Sequence, residues 1–137
     1  MSRYVSESLR RLVAVRANFR CEYCPLREID SFFTYHIEHI VSLKHGGLTV
    51  SENLAYACQI CNYNKGSDIA TFLNDISTPI RFFNPRTDSW SDHFEADTSG
   101  LIMPKTSIGE ATIKILDINH PDSIIERGEM IRRNIFE

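Results

Sequence analysis

The chain has 137 residues, a length that suits one domain or a small domain with an extension. Hydrophobic residues make up 42% of the chain, but no apolar run approaches the roughly 20 residues that cross a membrane. The arginine-interrupted N-terminus lacks the apolar segment of a signal peptide. We therefore expect a cytoplasmic protein with no membrane partner, in which disulfides are rare.

The charge is unevenly distributed. The net charge is −3, with +2 on residues 1–66 and −5 on residues 67–137. A basic face on an acidic protein can still bind phosphate, with marked sensitivity to salt. A solvated helix face is the simpler interpretation, and composition alone favours it. The basic side chains near the N-terminus are Arg3, Arg10, Arg11, Arg16 and Arg20.

The first half alternates short elements with punctuating residues. The apolar spacing over residues 3–19 predicts an amphipathic helix capped by Ser2 or Ser6. A strand is predicted from Tyr35 to Leu43, and a turn at Gly46-Gly47. The predicted core stripe of the helix consists of Val5, Leu9, Leu12 and Val13. A helical turn is expected over residues 51–54, and a helix over residues 62–73 that Gly66 weakens.

The second half reads as an elaboration of the same compact unit. Residues 80–83 resemble a strand between two proline-containing turns. The capping box Ser107-x-x-Glu110 predicts a helix over residues 111–118. Pro121 suits the first turn of a last helix reaching about Ile135.

Four cysteines form two Cys-x-x-Cys pairs, with none left over. Cys21 and Cys24 make the first pair, and Cys58 and Cys61 make the second. In a reducing compartment this pattern predicts a tetrahedral structural Zn²⁺ site, whose loss would unfold the first half. The 33 residues between the pairs exceed the interval of ordinary zinc ribbons, so an additional segment is inserted there.

The inserted segment carries the parts that phosphodiester cleavage requires. An acidic residue precedes a histidine at Glu38-His39, Asn53 follows a glycine-containing turn, and Asn62 follows the last cysteine. A neutral imidazole can accept a proton from water, and a divalent cation can neutralise phosphate. Glu38 and the Asn62 amide oxygen suit Mg²⁺ or Mn²⁺, whereas a nearby His36 would favour softer ions such as Zn²⁺ or Ni²⁺.

These motifs together resemble the HNH endonuclease family. The resemblance covers residues 18–70, where Cys-x-x-Cys, HIEHIVSLKHGG, SENLAYACQIC and NYNKG occur in the family's order. It implies a ββα-metal fold with an embedded zinc site. The later segments FFNPRTDSWSDHF and SIGEATIKILDIN are similar to a C-terminal extension of some bacterial members.

The resemblance also implies roles for individual positions. His39 matches the general base, and Glu38 matches a ligand of the catalytic cation. Asn53 matches the middle Asn, which holds the base and its loop in place. Asn62 matches the third position, which completes cation binding, so that the pattern is H-N-N. His36 is an additional candidate for the cation or phosphate, with an ordinary packed or surface histidine as an equal alternative.

Strand geometry sets one condition on this arrangement. Adjacent residues of a regular strand point to opposite faces, so that Glu38 and His39 can serve one phosphate only across a twisted strand or its edge. Simpler roles also exist, since Asn53 suits a turn and Asn62 can cap the following helix. Phosphate contacts are expected from Arg10, Arg11, Arg16 and Lys65.

The prediction is an α+β fold. A small zinc-stabilised ββα-metal core with an N-terminal helix occupies residues 1–75, and a mixed strand and helix extension packs on it over residues 76–137. The predicted function is metal-dependent endonucleolytic hydrolysis of nucleic acid, DNA in the first place, leaving 5′-phosphate and 3′-hydroxyl ends by analogy with the family. The alternatives are a non-catalytic zinc module that binds nucleic acid or protein, and a toxin or defence nuclease that needs a partner.

Overall fold

The computed structural model describes residues 4–136. The described chain is a mixed α+β structure with three two-stranded antiparallel sheets, which confirms the predicted fold class. Its elements in chain order are α1 Glu7–Arg16, β1 His36–His39, β2 Leu54–Ala57, α2 Gln59–Lys65, β3 Ala70–Thr71, β4 Ile80–Arg81, α3 Trp90–His93, β5 Phe94–Ala96, β6 Ile102–Pro104, α4 Ser107–Leu116 and α5 Pro121–Arg132.

Helix α1 is shorter than the predicted residues 3–19. It begins after Ser6, whose hydroxyl accepts a hydrogen bond from the Leu9 amide at 3.2 Å. The alternative cap, Ser2, lies outside the described residues. Val13 is fully buried as predicted, but Leu12 is 47% exposed, so the buried stripe continues through Ala14 instead. The helix therefore packs a narrower face than the periodicity indicated.

Strands β1 and β2 form the central hairpin, with His36 opposite Ala57 and His39 opposite Leu54. The strand predicted to reach Leu43 stops at His39. It stops there because the Val41 amide and carbonyl are hydrogen-bonded to the Asn53 side chain rather than to β2. The connection from β1 to β2 then begins with a turn over residues 42–46.

Helix α2 follows β2 directly and completes a ββα unit. The helix predicted to reach Leu73 ends at Lys65, because Gly66 adopts φ 51° and ψ −129°, which no helix can continue. Ala70–Thr71, which the sequence placed in the predicted helix, instead form β3 and pair with β4. The strand predicted at residues 80–83 is present at Ile80–Arg81.

The last two helices lie where the capping patterns place them, with small shifts. Helix α4 is capped by Thr106 rather than by Ser107, since the Thr106 hydroxyl accepts from the Gly109 amide at 3.1 Å. Helix α5 begins at Pro121 and ends at Arg132, short of the predicted Ile135.

The C-terminal segment contacts the ββα unit at several points. The indole of Trp90 donates to the Tyr23 carbonyl at 2.9 Å, and the Asn64 amide donates to the Leu116 carbonyl at 3.4 Å. Helix α4 packs against α2. The division near residue 75 stays a prediction, and these contacts show the two segments sharing one packed surface. No helix among residues 4–136 is both long and apolar enough to span a membrane.

Candidate metal centre and active-site cleft

The four cysteines converge on one point in the interior. Cys21 and Cys24 lie in the segment before β1, Cys58 caps α2 and Cys61 lies in its first turn. All four are buried, and their sulfur atoms lie within 4.8 Å of one another. A tetrahedral zinc ion with bonds of about 2.3 Å holds its sulfurs roughly 3.8 Å apart. The 3.6 Å separation of the Cys24 and Cys58 sulfurs fits this geometry.

The chemistry of these donors also suits a dication. Backbone amides of Cys24 and Cys61 point at the sulfurs of Cys21 and Cys58, at 3.5 and 3.4 Å, as in knuckles that hold thiolates. Mutual hydrogen bonding lowers the pKa of Cys58 and raises the pKa of Cys24 and Cys61. Thiols that share protons in this way release them when a metal binds. The cluster is thus suited to a structural zinc ion.

A buried arginine of the C-terminal segment lies beside this centre. Arg127 is 0% exposed, and its guanidinium donates to the Cys24 carbonyl at 3.2 Å. Its other partners are the carbonyls of Gly100 and Ile118 and the amide oxygen of Asn119, all uncharged. Burial lowers its pKa, and the nearby cysteine thiols oppose that effect. Negative groups near this cation are the cysteine sulfurs and the Glu126 carboxylate, whose raised pKa Arg127 opposes.

A cleft of about 380 Å³ lies beside the ββα unit. It brings together two side chains that the sequence placed far apart, His39 at the end of β1 and Asn62 in α2. The remaining lining residues are Ile37, Glu38, Ser42, Leu43, Lys44, Gly66 and Ser67.

His39 is the last residue of β1 and is half-buried. Its Nε2 lies 2.9 Å from the Thr49 hydroxyl oxygen, so the loop after Gly47 orients the imidazole. The imidazole lines the cleft, and the contact with Thr49 restricts its rotation.

Glu38 lines the same cleft but is only 5% exposed. Its Oε2 accepts a hydrogen bond from the Tyr23 hydroxyl at 2.6 Å, and its Oε1 lies 2.8 Å from the Lys65 ammonium. Burial raises the pKa of Glu38, and the contacts with Lys65 and Tyr23 work against that rise. Glu38 and His39 thus bind different partners, as strand alternation predicts.

The expectation that Lys65 contacts phosphate is wrong. Lys65 is 2% exposed, and its ammonium donates to the Ile40 carbonyl at 2.8 Å and to the His39 carbonyl at 3.4 Å. With Glu38 as its third neighbour, all of its donors are used inside the protein. Lys65 therefore fastens α2 to the end of β1.

Asn53 ties the two strands of the hairpin together beyond their last pair. Its Oδ1 accepts from the Val41 amide, and its Nδ2 donates to the carbonyls of Val41 and Leu48, each at 2.9 Å. A side chain at Gly47 would lie 1.8 Å from the Val41 carbonyl oxygen, so only glycine permits this close approach. Asn53 therefore holds together the two ends of the loop segment between Val41 and Leu48, next to Thr49.

His36 lies outside the His39 cleft. It is exposed and lines a second groove of about 350 Å³, together with Phe33, Thr34, Gln59, Asn62 and Tyr63. Asn62 belongs to both depressions, which therefore adjoin along α2.

The predicted basic contacts on α1 divide into two kinds. Arg10 and Arg11 are exposed. Arg16 is also exposed overall, yet its guanidinium donates to the Leu54 carbonyl at 2.8 Å and so is partly committed to the β2 backbone.

The cysteine cluster is the only grouping of three or more His, Cys, Asp or Glu ligands within residues 4–136. A second cation at the cleft would therefore rely on few protein donors, with water and phosphate completing its shell. Mg²⁺ is commonly held in this way.

Sequence reasoning missed Tyr23 and Arg127. Tyr23 lies between two predicted zinc ligands, and a tyrosine there could have been suspected as a buried partner for Glu38. Arg127 gave no such signal, because an arginine in a predicted amphipathic helix is usually solvated.

A comparison with models of known families matches residues 21–68 to the family described as HNH endonuclease. Neither the curated proteins nor the solved structures give a significant match to this chain.

Proposed function

Because residues 21–68 match the family model described as HNH endonuclease, we propose that this protein is a metal-dependent endonuclease that hydrolyses phosphodiester bonds, with DNA as its substrate. The observation that supports the proposal is the cleft shared by His39 and Asn62. An imidazole and a hard amide oxygen on one open surface are the donors that water activation and cation binding require.

His39 is the general base of the proposed reaction. Its imidazole takes a proton from the attacking water, and the water oxygen forms the new bond to phosphorus as the bond to the leaving 3′-oxygen breaks. This regiochemistry leaves a 5′-phosphate and a 3′-hydroxyl. The Thr49 hydroxyl and the Asn53-held loop limit rotation of the ring, so that the base stays aimed at the cleft.

Asn62 and Glu38 are the proposed protein ligands of a catalytic Mg²⁺ or Mn²⁺. Such an ion supplies positive charge to the phosphate and the departing oxygen. Asn62 is half-buried in the cleft wall. Glu38 can serve only in competition with the Lys65 ammonium, which lies 2.8 Å from its Oε1. Softer ions such as Zn²⁺ or Ni²⁺ would favour an imidazole ligand, and His36 lines the adjoining groove rather than this cleft.

The test is cleavage of supercoiled plasmid by zinc-loaded protein with added Mg²⁺ or Mn²⁺, or with neither. We expect cation-dependent nicking, and a loss of about 10²- to 10⁴-fold in His39→Ala, the range that a positioned base contributes. His45→Ala is the matched control, since His45 is exposed on the adjoining turn and does not line the cleft.

A non-catalytic zinc module is the second candidate, and the engagement of Glu38 by Lys65 favours it. Tight nucleic-acid binding with no cleavage under any added cation, and no change in His39→Ala, supports that module and rejects the endonuclease.

A further inference from the structure

Exposed aromatic rings border the groove next to the His39 cleft. Tyr63 is 81% exposed on α2, and Phe33 is 58% exposed just before β1. Both line the groove, and neither ring packs against another aromatic ring of the described chain. Exposed apolar side chains that cluster at one place often mark an interaction site, whereas single exposed apolar residues are common on any protein surface.

The rest of the groove offers uncharged hydrogen-bonding groups. The other residues that line the groove are Thr34, His36, Gln59 and Asn62, and no acidic residue is among them. Aromatic faces combined with neutral donors and acceptors match a nucleobase, which has a π face and polar edges. An apolar protein segment would leave these polar groups without partners.

The groove also continues into the proposed active site. Asn62 belongs to both depressions, so a chain that places a phosphate beside His39 can place a neighbouring base against Tyr63. A base within a duplex is stacked on both sides and cannot offer its faces to these rings.

The electrostatics point the same way. The chain carries a net charge of −3, Lys65 is buried and Arg16 is partly committed to Leu54. Lys44 is the only lysine or arginine among the residues that line the cleft, so contacts to bases add to a modest attraction for phosphate.

We propose that the groove between Phe33 and Tyr63 is a base-stacking subsite that receives an unpaired nucleotide next to the scissile phosphate. The protein then acts on single-stranded or locally unpaired nucleic acid in preference to intact duplex. This inference rests on the proposed endonuclease function, because the groove gains its meaning from the adjoining cleft.

The experiment measures binding without cleavage. His39→Ala protein, zinc-loaded and without added Mg²⁺ or Mn²⁺, is titrated into a fluorescein-labelled duplex and into the same duplex with a three-nucleotide unpaired bulge. We expect the bulged duplex to bind at least about tenfold more tightly, and Tyr63→Leu or Phe33→Leu added to this background to remove about that factor. Tyr63→Trp should retain it.

Phe32→Leu is the matched control. Phe32 is fully exposed beside Phe33 but does not line the groove, so its loss should leave the preference unchanged. A 2-aminopurine placed in the bulge should lose fluorescence when the duplex binds protein with an unaltered groove. Binding to the Tyr63→Leu protein should leave the fluorescence close to that of the free duplex.

Equal binding of the two substrates, or a preference that survives both leucine variants, overturns the subsite. Since no catalysis enters these measurements, that result leaves the nuclease proposal standing wherever plasmid is still nicked. Conversely, a protein that shows the preference but never cleaves retains the subsite and loses the nuclease assignment.

Discussion

Lys65 and Glu38 form an ion pair of 2.8 Å that lies almost wholly out of solvent, with 2% and 3% of the side chains exposed. It joins α2 to β1 directly behind the His39 carbonyl, to which Lys65 also donates. The first prediction concerns this pair. Lys65→Met should lower the free energy of unfolding by about 3–5 kcal/mol at pH 7.5, because it leaves a carboxylate buried without its counter-charge.

The loss in Lys65→Met should shrink as the pH falls. Burial already raises the pKa of Glu38, and removing Lys65 removes the largest opposing influence. A raised pKa in the folded state means that stability is present at low pH and is lost as the pH rises through that pKa. Urea unfolding at pH 5 and 7.5 measures the difference.

The double variant Glu38→Gln/Lys65→Met should recover much of the lost stability. Arg27→Met, which breaks a surface ion pair, should change the stability little. A loss independent of pH contradicts the assignment.

The second prediction concerns Asn53. Asn53→Ala removes three hydrogen bonds to Val41 and Leu48 and leaves the hairpin hydrogen bonds intact. We expect a loss of about 1–3 kcal/mol of stability, with faster amide exchange concentrated over residues 41–49. If the protein cleaves, kcat should fall more than KM rises, since the loop positions His39. Asn64→Ala is the control, because it also removes amide-to-carbonyl bonds but to Ile60 and Leu116 instead of the loop. Unchanged exchange in the loop argues against this role.

The third prediction compares two adjacent glycines. Gly46 has φ 93° with open space around the position of a side chain, so Gly46→Ala should cost about 1–2 kcal/mol through backbone strain alone. Gly47→Ala should cost more, because its Cβ would lie 1.8 Å from the Val41 carbonyl oxygen and 2.8 Å from the Asn53 amide nitrogen. Thermal unfolding of both variants checks the order, and a Gly47→Ala protein as stable as Gly46→Ala refutes the close approach.

The fourth prediction links the C-terminal segment to the metal. Arg127→Met removes a buried cation that contacts the Cys24 carbonyl and lies near four sulfurs. We expect zinc affinity, measured by competition with a chromogenic chelator, to fall about 10- to 100-fold, as for other outer-shell partners of metal ligands. Arg132→Met is the control, since Arg132 lies on the same helix with 66% of its side chain exposed. A full and unchanged zinc affinity in Arg127→Met shows that Arg127 serves the fold alone.

Local sequence patterns were enough for several parts of the molecule. The paired cysteines indicated the metal centre, because two residues three apart can bring both sulfurs to one ion wherever the pairs meet. Pro121 marked the start of α5, since proline fits a first helical turn. The alternation of strand side chains separated Glu38 from His39, and their different partners agree with it.

Element ends and side-chain partners were decided by contacts between distant residues. β1 stops at His39 because Asn53, fourteen positions later, takes the hydrogen bonds of Val41. A lysine usually lies at the surface, and Lys65 is buried only because α2 packs against β1 and brings its ammonium to Glu38. The sequence by itself determined which residues can bind a metal or move a proton, since that follows from their functional groups. The tertiary structure alone decided which of them are buried, paired or open to a substrate, because burial and pairing depend on what the rest of the chain packs against each group.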